Sequence, residues 1–283
     1  MAGSRERVTE QRRVLGKRRR RERSMAGNSR QSGRSVTERA LSVLTTFGPD
    51  AHRLSLTEIA QRAEIPLATA HRLVGELENW GALQRESDGR YAIGLRLWEL
   101  GLLAPVHTCL RGVAMPHMQQ LHERTGANVQ LAVRDGLQAV YVEKLTGRRS
   151  TPIISRSGGR LPLHTTGVGK VLLAHASREV VQEYCAHHLS RHTPYTIVEP
   201  GRLVRELGGI RRRGFAWTTE EMTLGSCSVA VPVCSEGEVV AALGLVVDSA
   251  RAEVAKLVRP LSRAAESVGN RLVETTRATA EVE

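Results

Sequence analysis

Four cysteines in 283 residues, Cys109, Cys185, Cys227 and Cys234, are too few and too scattered for a disulfide framework. None forms a Cys-x-x-Cys pair, so structural zinc of the finger type is not expected. Cys185, His187, His188 and His192 are metal-ligand types, but helical spacing joins only Cys185 with His188 and His188 with His192. That stretch reads as a solvated, histidine-rich helix end, with no metal. Long apolar runs are also missing. The longest, Val239 to Val247, is nine residues with one Gly, against the ~20 that a membrane-spanning helix needs. The Arg-rich start is not followed by an apolar segment of the secretory kind, so the chain reads as cytoplasmic with no membrane partner. Catalytic signatures are equally sparse. His164, Cys227, Ser228 and Glu220 or Glu221 are hydrolase residue types, yet there is no GxSxG elbow. TTGVGK misses the phosphate-binding pattern GxxxxGK(S/T), because His164 stands at its first position and Val171 follows Lys170. No catalytic residue and no cofactor is therefore assigned.

What is present is an ordinary globular composition, 41% hydrophobic and 25% charged, at a length that suits two domains. The 41 Lys+Arg outnumber 29 Asp+Glu, for a net charge of +12. The excess is uneven. Residues 1–24 hold ten Lys/Arg against three Glu, whereas residues 34–105 hold eight Arg against nine acidic residues. Residues 1–33 read as a disordered basic arm whose run Lys17 to Arg21 attracts phosphates without reading sequence. Met25 is an alternative start, since Arg-Arg-Glu-Arg-Ser before it is what a translated purine-rich ribosome-binding site would look like. Function is argued from residue 34 onward.

From Ser35, Val36, Ala40, Leu41, Val43 and Leu44 recur at helical spacing on one expected buried face, until Gly48-Pro49. Ser55 or Thr57 caps a short second helix with Ile59, Ala60 and Ala63 facing inward. Glu64-Ile65-Pro66 breaks the chain, and Leu67 to Trp80 forms a third helix with Leu73, Val74, Leu77 and Trp80 as its apolar stripe. Two short helices around a tight turn make a helix-turn-helix, and the second is the reader. Its entering end carries Thr69, His71 and Arg72, while Ser55 and Thr57 start the preceding helix; all five are candidate DNA contacts. Asp88-Gly89 between two short alternating runs then signals a hairpin wing, with Arg85 and Arg90 placed for phosphate or the minor groove. The DNA-binding domain is set at 34–94. A helical subdomain used for protein contacts is the alternative, favoured by the net charge near −1 but not by three ordered helices plus a wing.

Residues 95–106 carry Leu95, Leu97, Trp98, Leu100, Leu102 and Leu103, apolar nearly all round a helix reaching Pro105. Such a helix must be buried, and between two domains it reads as a dimer-forming linker, with a plain core helix as the alternative. Residues 107–283 read as an α+β unit. A helix ends at Thr125-Gly126, and strands Asn128–Val133 and Leu137–Glu143 flank Asp135-Gly136. A strand is expected near Thr151–Ser155, then helices at Gly167–Ala174, Ser177–His187 and Gly201–Arg213. Strands Phe215–Thr219, Ser228–Val233 and Val239–Val247 follow, with a long helix Glu253–Arg277 last. This order predicts one antiparallel sheet with helices beside it.

Four segments, LTEIAQRAEIPLATAHRL (Leu56–Leu73), DGRYAIG in the wing, LPLHTTGVGK (Leu161–Lys170) and GSCSVAVPV (Gly225–Val233), together resemble the IclR family of bacterial transcriptional regulators, over about residues 35 to 278. The resemblance implies an α+β protein with an N-terminal winged helix-turn-helix, a linker helix and a C-terminal GAF-like effector-binding domain. It implies homodimers or dimers of dimers on promoter or operator DNA, read by Thr69, His71 and Arg72. Glu64 stands where the family's turn usually holds Gly, and Leu67 and Ala68 where polar residues usually open the recognition helix. For the effector, the resemblance points to the backbone N–H groups of Gly167 and Val168, and to Ile153, Thr218, Ser228, Gly244 and Val246. Some members carry Asp at the place of Thr218, Cys at that of Ser228, and two Ser at those of Gly244 and Val246. A pocket that loses two hydroxyls and gains Val is expected to take an aromatic or branched organic acid rather than a small keto acid. The reading is a ligand-responsive, sequence-specific DNA-binding regulator. The runner-up is a small-molecule binding protein without DNA function.

Overall fold

The computed structural model describes residues 34–104, 106–147 and 154–280. The basic arm, Met25 and Ile153 lie outside them. The chain forms two compact units that divide between Leu100 and Gly101.

In the first unit, α1 (Val36–Thr45) and α2 (Leu56–Arg62) each start at a serine that accepts the N–H three residues on, while the glutamate there reaches back. Both are capping boxes, so Ser55 rather than Thr57 is the cap. Glu64 turns the chain with φ +55, a left-handed conformation that strains a side chain other than Gly. Then α3 (Leu67–Trp80) runs to a left-handed Gly81. Val43, Ile59, Ala70, Leu73 and Val74 form the core, closed by Leu83 and Tyr91 from the hairpin β1 (Leu83–Arg85) and β2 (Tyr91–Ile93). The apolar faces are narrower than spacing suggested. Val36, Leu41 and Trp80 are exposed, since a stripe is buried only where another element reaches it.

The alternative of a plain core helix for the linker is corrected. Helix α4 (Leu95–Leu102) stops short of Pro105 and buries no residue; Leu95, Trp98, Leu100 and the following Leu103 are 65%, 60%, 48% and 72% exposed. Apolar side chains distributed all round a two-turn helix cannot be covered by one chain's own neighbours.

In the second unit, wide π-type turns over Val106–Arg111 lead into α5 (Gly112–Thr125). Strands β3 (Asn128–Asp135), β4 (Gln138–Leu145), β5 (Arg160–Pro162), β6 (Ala216–Thr219), β7 (Ser226–Ser235) and β8 (Glu238–Asp248) make one sheet in the order β5-β4-β3-β8-β7-β6, every neighbouring pair antiparallel. Ile154 and Ser155 are not part of a strand; the edge strand is β5, where Gln138 to Val140 offer partners. Helices α6 (Gly167–Ala174), α7 (Arg178–Ala186) and α8 (Pro200–Arg213) cover one face, burying Val168, Val171, Leu203 and Ile210 against Ala132, Ala230 and Ala242. Helices α5 and α9 (Val254–Ala280) cover the other, burying Met118, Leu121, Leu261 and Val268 against Val129, Val229 and Leu243. The sheet is therefore buried on both faces, which is why β8 reads as nearly continuous apolar sequence. No helix among the described residues is long and apolar enough to cross a membrane.

Candidate effector pocket and DNA-reading surface

On α3, His71 and Arg72 are exposed, while Thr69, one turn before Leu73, is half-buried. Arg72 is not idle. Its Nη1 lies 2.6 Å from Glu76 Oε1 one turn on. Arg90 Nη1 lies 3.4 Å from Glu58 Oε2, and the same oxygen accepts from Ser55 N–H at 2.7 Å and Ser55 Oγ at 2.8 Å. Hydrogen bonds from Ser55, then the charges of Arg90 and Arg62, hold the Glu58 carboxyl below its usual range. Ser55 thus fixes a helix start and, through Glu58, the wing. Arg85 sits over the Tyr91 ring at 5.7 Å. Thr57 is exposed beside the cap. Sequence reasoning passed over Arg53, an exposed cation paired with Glu86 at 3.1 Å and Asp88 at 3.5 Å across the wing. Half-exposed pairs of this kind contribute only ~0–1 kcal/mol, so a phosphate replaces the carboxylate at little cost.

In the second unit a narrow, partly open cleft lies on the α6 side of the sheet, with about 40 Å³ of space that water can reach. Thr218, Ser228 and Val246 stand opposite one another across β6, β7 and β8 and line this floor together. Thr165 and Thr166 line it from the turn into α6, and Met222 and Thr223 from the turn after β6. Thr166 Oγ1 accepts Gly169 N–H at 3.1 Å, which leaves Gly167 and Val168 as first-turn N–H donors beyond the reach of any helical carbonyl.

Two expectations are corrected here. Gly244 does not line the pocket. It lies beneath α6, where a Cβ on it would stand 2.7 Å from Val168 Cγ1. It is the space into which the Val168 side chain packs, and the buried Gly167 and Val168 do not line the pocket either; Thr165 and Thr166 just before them do. The wall is also more polar than the missing serines suggested. Gln130, Ser155, Thr223 and Ser226 line it as well, and Gln130 Nε2 donates to Ser155 Oγ at 2.6 Å. A glutamine within the otherwise apolar run Val129 to Val133 was the available signal. The described lining residues carry no ionised side chain. Burial pushes the Tyr141 phenol up to about 12, so it stays a neutral hydroxyl.

Neither His164 nor Lys170 is free for chemistry. The Tyr184 hydroxyl accepts His164 N–H at 3.2 Å and donates to Nδ1 at 2.7 Å, which leaves Nε2–H for Ser190 O at 3.1 Å. Burial keeps this ring's pKa below the usual value. Lys170 is a buried core cation, with Nζ 2.5 Å from Glu221 Oε1. Among the described residues no three His, Cys, Asp or Glu side chains gather as metal ligands.

A winged helix-turn-helix on the same chain as a sheet domain around a small polar cavity defines a DNA-binding regulator with a sensory domain. Residues 36–87 match the model of the IclR helix-turn-helix domain, and residues 104–270 that of the bacterial transcriptional regulator IclR C-terminal domain. The chain belongs to the IclR family of bacterial transcriptional regulators. It is similar to the HTH-type transcriptional regulator XynR of Escherichia coli, 33% identical over 223 residues, or 78% of this chain and 88% of that one. An IclR homolog of Microbacterium hydrocarbonoxydans, complexed with 4-hydroxybenzoate, is 36% identical with a TM-score of 0.81, covering 84% of this chain and 99% of the other. The IclR of Thermotoga maritima is 30% identical with a TM-score of 0.69, covering 84% and 98%.

Proposed function

We propose that this regulator binds its operator in a sequence-specific way and responds to an aromatic carboxylic acid that carries a second polar group. The carrying observation is the pocket's chemistry. A carboxylate finds no cation in the lining; the start of α6, where Thr165 and Thr166 line the pocket ahead of Gly167 and Val168 N–H, is the polar end that suits it, an interaction of about 0.3–2 kcal/mol. Val246, Ile154 and Leu161 suit an apolar ring. Thr218, Ser228, Ser226 and Gln130 supply partners for a hydroxyl away from the acid. The related homolog's 4-hydroxybenzoate has this make-up.

A thermal-shift series tests it. 4-Hydroxybenzoate stabilises the protein, by ~2.7 kcal/mol at a hundredfold excess over its Kd, and Ser228→Ala or Thr218→Val weakens the shift. Stabilisation by glyoxylate or pyruvate, with no effect of larger aromatic acids, overturns the ligand assignment.

At the DNA, Thr69, His71 and Arg72 read base edges, while Arg85 and Arg90, with Ser55 and Thr57 at the α2 start, face the backbone. Arg72→Ala then lowers operator binding by ~1–3 kcal/mol and leaves random DNA little changed. Arg90→Ala weakens both alike and flattens the salt dependence by about one unit. Equal losses on operator and random DNA in both variants would place the recognition helix elsewhere.

The exposed Leu95, Trp98, Leu100 and Leu103 support assembly as a homodimer or dimer of dimers through α4. Trp98→Glu with Leu103→Glu is expected to sediment as a monomer. A wild-type chain that is monomeric at micromolar concentration contradicts this.

A further inference from the structure

One carboxylate lies between the pocket wall and the chain that enters the second unit. Glu143, on β4, is about nine-tenths buried, and its two oxygens face different elements. Oε1 accepts from Ser157 Oγ at 2.8 Å and from Lys144 N–H at 2.8 Å. Oε2 accepts from Arg111 Nε at 2.6 Å. Ser157 follows the pocket residues Ile154 and Ser155 closely in the chain. This stretch of loop is held at further points: Lys144 Nζ donates to Ser155 O at 2.8 Å, Gly158 N–H to Tyr141 O at 2.7 Å, and Tyr141 N–H to Gly159 O at 2.9 Å. Gln130, within the sheet, reaches the same Ser155 from the pocket side. A ligand seated against Ser155 therefore presses on a segment tied to Glu143.

At the other oxygen, Arg111 is the last residue of the wide turns Val106–Arg111 and the first flank of α5. Such π-type stretches are uncommon and tend to occur where function needs them. They also have an alternative. Tightening by one residue to α-helical winding turns the chain upstream by ~100° and shifts it by ~1.5 Å. The grip on Arg111 sets where the wide turns end.

We propose that Glu143 is the relay from the effector pocket to the segment leading back toward α4, with the loop on one oxygen and the wide turns on the other. The proposal rests on the pocket reading above and adds how occupancy is transmitted. Glu143 touches neither ligand nor DNA; it is a positioning residue that acts through Ser157 and Arg111. The carboxylate form is required. An amide keeps one oxygen only, so whichever way it is turned, its NH₂ meets the donors on one side and that tie is lost. Ser157, Arg111 and the adjoining amide together keep the Glu143 carboxyl below its usual range in spite of burial.

The test uses the full chain in two arms. The first needs no ligand: amide hydrogen exchange over residues 106–112 is compared between wild type, Ser157→Ala and Glu143→Gln. Faster exchange there in both variants is expected, since the loop and the wide turns share one holder. Exchange over 106–112 at the wild-type rate in Ser157→Ala overturns the relay. The second arm measures operator affinity with and without 4-hydroxybenzoate. In wild type the acid changes affinity by about tenfold or more; in Glu143→Gln the change falls below about twofold, while the acid's own Kd and ligand-free operator affinity stay within about threefold. Arg111→Lys, which keeps the charge but not the Nε geometry, retains part of the response. A full response in Glu143→Gln overturns the relay. A wild type that ignores the acid overturns the ligand reading instead, and the exchange arm alone then decides the relay.

Discussion

Replacing Lys170 by Met, or Glu221 by Leu, lowers the stability of the second unit by about 3–5 kcal/mol, because each change leaves the other partner buried without its counter-charge. Lys170 Nζ and Glu221 Oε1 are 2.5 Å apart, and the lysine side chain is 1% exposed. Burial pulls the lysine's pKa down and pushes the glutamate's up, against the attraction between them, so both shifts point to the cost of holding charge there. The double variant Lys170→Met with Glu221→Leu is expected to recover most of the loss, since an apolar pair of similar volume needs no desolvation of charge. Urea unfolding measures all three. A single variant within about 1 kcal/mol of wild type would contradict the account, because surface pairs behave in that way and buried ones do not.

The pair also has a role in the pocket. Glu221 begins the turn that carries Met222 and Thr223, and Thr196 Oγ1 fixes that turn by donating to Glu221 O at 2.7 Å. The same single variants should therefore lose 4-hydroxybenzoate stabilisation beyond their loss of stability. Nothing near Lys170 in the chain announces a partner 51 residues away.

The second large effect separates two readings of Gly244. As a pocket residue that had lost a hydroxyl, Gly244→Ser would sharpen recognition of a smaller, more polar acid. As the space for Val168, with a Cβ position 2.7 Å from Val168 Cγ1, the same change overpacks the helix–sheet contact and costs about 1–3 kcal/mol. The structure favours the second. Gly244→Ser is expected to unfold earlier and to shift α6, weakening every acid rather than exchanging one for another. Adding Val168→Ala removes the obstructing methyl groups and restores stability. A Gly244→Ser protein of unchanged stability that now prefers glyoxylate would return the residue to the pocket.

The contrast between these residues and the correctly read ones has a physical basis. Ser35 with Glu38 and Ser55 with Glu58 are capping boxes closed within four residues, so the starts of α1 and α2 are visible in the chain. Asp88-Gly89 and Asp135-Gly136 turn hairpins through left-handed glycines. Gly81, Gly126 and Gly214 end helices by the same means. Thr218, Ser228 and Val246 came together because neighbouring antiparallel strands place opposed residues on one face. The ties that set the pocket's character are of another kind. Gln130 meets Ser155 across 25 positions, and Arg111 meets Glu143 across 32.

By itself the sequence determined the α+β class, the winged helix-turn-helix with its reading helix, the order of the sheet domain's elements and the family, because periodicity, caps and turns act over a few neighbouring residues. Tertiary structure alone decided which apolar stripes are covered and which, as on α4, are left in the open. It placed Gly244 under Val168 and Lys170 against Glu221, and it lined the pocket with Gln130 and Ser155. Burial and pairing between distant residues depend on where whole elements come to rest against one another, and no local pattern in the chain carries that information.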